Sequence, residues 1–179
     1  MTGRGPRIHR VTAPGGDPEF RGPEGKPWVC TCGTTGDGQD ETSADHLHAA
    51  AKAAFKRLDD VDAHSRVVVH ACNGTESDVT NLLYSTRYWT GNRQLRTFMH
   101  PYYDGYGVLA ARMDWAALAA ALDSRRITAE YESDLLVLRI AASLMGACVV
   151  NLSMLRSLSG DNARTVWAAL AKQLPDGAG

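Results

Sequence analysis

The sequence predicts an α+β fold: a small β element with a zinc-knuckle-like strand–loop–helix near its start, followed by a helical C-terminal subdomain. Three observations point that way. β-Friendly runs occur at 28–32, 66–72 and 95–113; apolar residues recur at helical spacing over 44–59; and from Asp114 onward the chain reads as helices with short connections. The expected organisation is a Gly/Pro-rich basic tail (1–27), an α+β region (28–113), a helical subdomain (114–174) and a short tail (175–179).

Gly and Pro recur through residues 1–27, and Arg4, Arg7, Arg10, Arg21 and Lys26 outnumber Asp17, Glu19 and Glu24. Such a segment buries too little apolar surface to offset its ordering entropy, so disorder is expected there. Trp28–Cys32 reads as a short strand ending at Gly33. The polar loop after it carries Asp37, Asp40, Glu41 and Asp45 and no base, and it feeds a helix for which Thr42 is the expected cap. Ala44, Leu47, Ala51, Ala54, Phe55 and Leu58 mark that helix as amphipathic over about 44–59.

Arg66–Cys72 contains Val67, Val68 and Val69 in succession, which suits a buried strand. A helix over about 78–89 would follow, capped by Thr75 or Ser77. Residues 95–113 read as a hairpin turning at Asp104-Gly105, with Pro101 restricting the first strand to an edge. Beyond it, Asp114 caps a short helix, and a longer helix over 130–145 stops at Gly146. Asn151 caps a segment through Leu158, and Asp161 caps a last helix that Pro175 ends.

The 179 residues suffice for one domain with a tail, and 44% apolar composition supports a core. A net charge of −1 argues against a protein that coats nucleic acid or anionic membrane, so any such contact must come from a local patch. The first residues contain no apolar run of a secretory signal, and no stretch approaches the ~18 residues of a membrane span. The expected location is therefore cytoplasmic, with the four cysteines as thiols or metal ligands. The Ala-, Gly- and Arg-rich composition fits a high-GC, bacterial-type genome.

Cys30 and Cys32, two apart on a strand, place both thiols on one face before the turn at Gly33. With the Leu47–Leu58 face inward, His48 lies nearer the interior than His46. A strand knuckle followed by an inward histidine is the outline of a small zinc site. The remaining ligands would come from His48, His64, His70 and Cys72; Cys148 reads as packing. The alternative is unmetallated core thiols with surface histidines.

Residues 150–174 run short helix, Gly-containing turn, longer helix, an order that resembles a helix–turn–helix. In the last helix Val166, Leu170 and Leu174 are expected to face inward with Ala163 and Trp167 beside them. Asn162, Arg164, Thr165 and Lys172 are left to reach phosphates or base edges. An ordinary helical bundle with a solvated outer face has the same spacing, and Glu130, Glu132, Asp134 and Asp161 offset the local bases.

No phosphate loop, dinucleotide fingerprint, nucleophile elbow, H-E-x-x-H helix or zinc-deaminase signature occurs, and no nucleotide cofactor is expected. Tyr102, Tyr103, Tyr106 and Trp89 could form an aromatic patch, or simply pack. The expectation is a non-enzymatic regulatory or adaptor protein, stabilised by zinc and binding DNA or a protein through its C-terminal helices. A structural component of a larger complex is the alternative, and an enzyme using Cys72 the third reading.

Overall fold

A computed structural model describes residues 11–12, 28–31, 34–36, 43–70, 74–86, 88–104 and 106–172. The chain forms two compact units, one of residues 1–58 with 100–112 and one of residues 59–99 with 113–179.

In the first unit, strands β1 (Val11–Thr12), β2 (Trp28–Cys30) and β3 (Thr35–Gly36) form an antiparallel sheet in the order β1-β2-β3. Val11 lies opposite Cys30 and Val29 opposite Thr35. The Cys30 N–H donates to the Thr34 carbonyl at 2.8 Å, which closes the β2–β3 turn. The expected tail thus contributes a strand at Val11–Thr12: its β-branched pair satisfies the free edge of β2, a long-range gain that composition does not reveal. The polar loop likewise contributes Thr35–Gly36. Helix α1 (Ser43–Lys56) matches the amphipathic segment expected at 44–59, with Ala51 and Phe55 buried. The Thr42 cap lies outside the described residues.

Strands β4 (Met99–Tyr103) and β5 (Leu109–Met113) form the expected hairpin as a separate two-stranded sheet. Each strand is an edge, so Pro101 is accommodated. Asp104 organises the turn: its Oδ1 accepts the N–H groups of Tyr106 (2.9 Å) and Val108 (2.8 Å). That is the backbone role short polar side chains play in turns.

The second unit is helical: α2 (Asp60–His70), α3 (Gly74–Ser85), α4 (Arg93–Arg96), α5 (Trp115–Asp123), α6 (Glu132–Leu144), a 3-10 helix (Leu152–Ser157) and α7 (Gly160–Ala171). Of the strand expected at 66–72, residues 66–70 are instead the end of α2, and residues 71–72 lie outside the described residues. The Asp59 carboxylate accepts the Asp62 N–H at 2.7 Å, giving α2 an N-terminal cap. Ala63, His64 and Val67 are buried at helical spacing, while Val68 is partly exposed. Cap and apolar face together outweigh the β preference of the valine run. α3 begins four residues before the expected 78, so Thr75 and Ser77 lie inside it. The segment expected to start the hairpin at 95 is α4, capped by Asn92, whose Oδ1 accepts the Gln94 N–H at 2.9 Å.

α6 is the central helix, packed on α3, α5, α7 and the 3-10 helix. Leu83, Trp89, Leu118, Val137, Leu138 and Val166 are fully buried. Each such side chain contributes roughly 1.5–3 kcal/mol of transfer free energy. Trp89 also satisfies its indole N–H, which donates to the Asp134 carbonyl at 2.8 Å. Asp114 caps α5 as expected, accepting the Ala117 N–H at 2.8 Å, and Asn151 caps the 3-10 helix.

α5 and α6 end in the same way. The Arg125 and Arg126 N–H groups donate to Leu122 (3.2 Å) and Ala121 (2.9 Å); those of Gly146 and Ala147 donate to Ser143 and Ala142 (both 2.9 Å). In each case the residue after the cap is left-handed, Gly146 at φ +73 and Arg125 at φ +54. This paired closure normally takes glycine, because a side chain crowds the left-handed backbone.

Candidate functional site

The residues expected to hold zinc do not gather among the described residues. Cys30 is buried in β2, and Cys32 and Cys72 lie outside the described residues. His48 is exposed and His46 half-buried, the reverse of the expected orientation. The buried residues of α1 are Ser43, Ala51 and Phe55; His48 lies on the side of Ala51 and Phe55 but is exposed, so burial does not extend along that side to position 48. No group of three or more His, Cys, Asp or Glu side chains is placed to hold a metal ion among the described residues.

His64 belongs to the second unit and is 1% exposed. Its Nδ1 accepts the Gly91 N–H at 3.3 Å, which puts the neutral ring's proton on Nε2, a buried atom with no hydrogen-bond partner among the described residues. The ring meets Tyr84 edge-on, with centroids 5.2 Å apart. Burial pushes its pKa below the ordinary histidine value, opposed by the Trp89 backbone. His70 Nε2 lies 3.4 Å from Glu76 Oε1. Cys148 donates to the Arg139 carbonyl at 3.5 Å, and burial raises its thiol pKa, the opposite of an activated nucleophile.

The residues expected to face nucleic acid make contacts within their own fold. Asn162 turns inward: its Nδ2 donates to Asp134 Oδ1 and to Ser133 Oγ, both at 2.9 Å. Ser133 Oγ also accepts the Ser159 N–H at 2.8 Å, so one hydroxyl joins the start of α7 to α6. Ser159, rather than Asp161, is therefore the residue at the α7 N-cap. Arg164 pairs with Asp161, and the Thr165 hydroxyl donates to the Asp161 carbonyl at 3.1 Å. Lys172 Nζ lies 3.5 Å from Asp78 Oδ1. Arg164, Thr165 and Lys172 line one cleft of about 320 Å³ between α3 and α7, with Asp78, Asn81 and Ser85 opposite. The segment before α7, expected as the first helix of a helix–turn–helix, is a 3-10 helix with none of its residues buried.

A larger groove of about 550 Å³ opens between α5, α6 and the 3-10 helix. Leu122, Ile127, Leu135, Leu136 and Met154 make its apolar lining; Arg125, Arg139 and Glu132 are its charged groups. Beyond Met154, Leu152 is 74% exposed and Val149 91% exposed. Trp167, expected beside the inward face of α7, is 58% exposed, because Val166 and Ala169 take the buried positions. Sequence patterning missed this groove.

Among the described residues, no helix is long and apolar enough to cross a membrane. Compared with protein-family models, curated proteins and solved structures, the chain matches none of them.

Proposed function

We propose that this is a non-enzymatic regulatory or adaptor protein whose C-terminal helices bind a protein partner. The observation that carries the reading is the exposure of Val149, Leu152 and Trp167, which with Val61 and Tyr131 are the most exposed large apolar side chains of the second unit. Apolar groups exposed close together mark surfaces used for association, and Val149 and Leu152 are three residues apart. A structural zinc held through Cys30 and Cys32 would stabilise the N-terminal unit in the same reading.

The choice of a protein over DNA rests on charge. Arg164 and Lys172 each have a carboxylate partner, and Asn162 is spent on α6. One observation favours contact with a phosphate backbone as a second reading: Arg164, Thr165 and Lys172 share a single cleft. DNA binding would then fall steeply with salt and weaken in Arg164→Ala and Lys172→Ala; absence of binding at low salt sinks it.

The test of the main reading is photo-crosslinking from position 152 in the full chain, with position 123 as control, combined with sedimentation velocity. A defined heterologous adduct from position 152 alone, on a chain that sediments as a monomer, supports the adaptor. Adducts between copies, with a mass that rises with concentration, support the alternative of an assembly component. Equal labelling from both positions refutes a specific surface at Leu152.

A further inference from the structure

We propose that the groove between α5, α6 and the 3-10 helix binds a small amphipathic carboxylate. Its apolar body would lie on Leu122, Ile127, Leu135, Leu136 and Met154, and its carboxylate against the Arg125 guanidinium. This site is separate from the protein-binding reading and does not depend on it.

Size and lining come first. A space of about 550 Å³ falls within the roughly 300–1,000 Å³ of small-ligand sites, which are mostly apolar with a few placed polar groups. The charges then select the ligand. Arg139 is neutralised by Asp123, with Nη1 to Oδ1 at 2.8 Å. Glu132 sits in the first turn of α6, where exposed backbone N–H groups offset its charge. The exposed Arg125 side chain has no partner among the described residues, so it is the cation of the groove open to a ligand, with Glu132 as the remaining acid of the lining. A planar guanidinium accommodates a carboxylate through two parallel hydrogen bonds.

The backbone adds an independent argument. Arg125 occupies the left-handed position of the α5 closure, where α6 uses Gly146. Conformational cost of that kind concentrates at ligand sites. The lip of the groove is also fixed in advance: Gln94 accepts the Thr128 N–H at 2.9 Å and donates to the Thr128 carbonyl at 2.8 Å. A preset lip lowers the ordering cost of binding.

The experiment titrates the full chain with decanoate by calorimetry, and with decyltrimethylammonium as the charge-reversed probe. Methyl NMR of the methionines locates the site. Decanoate is expected to bind one per chain and to move the Met154 methyl signal while Met99 and Met113 stay in place. Arg125→Gly should weaken binding about ten- to a hundredfold, the loss of a charge-assisted hydrogen-bonded contact. Arg125→Lys, which keeps the charge, should weaken it less. Met154→Asp, on a partly exposed side chain, should weaken it without unfolding the protein. The proposal is overturned if decanoate does not bind, if the cation binds as well, if Met154 stays unshifted, or if Arg125→Gly binds like the wild type. Each of these outcomes leaves the crosslinking result at position 152 unaffected, so the two readings fail separately.

Discussion

Arg125→Gly and Gly146→Ala subject one helix-closing motif to opposite changes. α5 and α6 end with the same two backbone bonds around a left-handed residue, Arg125 at φ +54 in one and Gly146 at φ +73 in the other. Holding a side chain in that conformation costs roughly 1–2 kcal/mol. Glycine avoids the cost but gives the unfolded chain about 0.4–1 kcal/mol of extra entropy. The difference predicts that Arg125→Gly stabilises the second unit by about 0.5–1 kcal/mol and that Gly146→Ala destabilises it by a similar amount. Sterics do not blur the second figure, because an added Cβ at Gly146 meets nothing within 4 Å. Urea unfolding followed by tryptophan fluorescence measures both. With a slope of about 1–3 kcal/mol per molar urea, the midpoints should separate by a few tenths of a molar or more, in opposite directions. Shifts of the same sign at unchanged slope, or a loss of stability in Arg125→Gly, would refute the reasoning. A gain in stability with a loss of decanoate binding would identify Arg125 as a residue retained for its ligand.

Three further outcomes follow from the same geometry. Because burial holds His64 below the ordinary value of about 6.5, the unfolded chain takes up a proton that the folded chain refuses; stability is therefore lost as pH falls from 6.5 toward the folded value, at up to about 1.4 kcal/mol per pH unit. His64→Gln should flatten that slope, and identical slopes between pH 5 and 6.5 would count against it. Asn162→Ala leaves the buried Asp134 carboxylate without its amide donor and should cost about 1–3 kcal/mol in chemical denaturation, whereas Arg164→Ala, on an exposed pair, should be near neutral. If Cys30 and Cys32 hold zinc, protein purified without added metal should carry about one zinc per chain, lost in Cys30→Ser together with thermal stability; metal-free wild-type protein ends that proposal.

Local signals were legible where one residue or one stripe decides the outcome. Asp114 and Asn151 cap the helices expected of them, Gly146 ends α6, and the Ala51–Phe55 stripe marks α1. The failures have two causes: partnership over long sequence separation, and local caps and faces that outweigh a residue's own preference. Val11–Thr12 becomes a strand only because Val29 and Cys30 lie opposite. Val67–Val69 reads as β until the Asp59 cap and the Ala63–His64–Val67 face are counted together. In the candidate sites, Asn162 reads as outward because its partners Ser133 and Asp134 are 29 and 28 residues away. Lys172 reads as free because Asp78 lies on another helix. Arg125 could not be foreseen as left-handed, since glycine is the residue that announces such a closure.

The three-stranded sheet of the first unit also bears on how the chain can be trimmed. A version starting at residue 28 would discard β1, although composition marks that region as expendable. It would uncover one whole side of β2, whose Val29 and Cys30 backbone groups face β1 in the sheet. A bare strand border of that kind is a template for sheet growth between molecules. Shortened protein of this sort would precipitate or form intermolecular β-structure on concentration, while protein retaining Val11 and Thr12 stays dispersed.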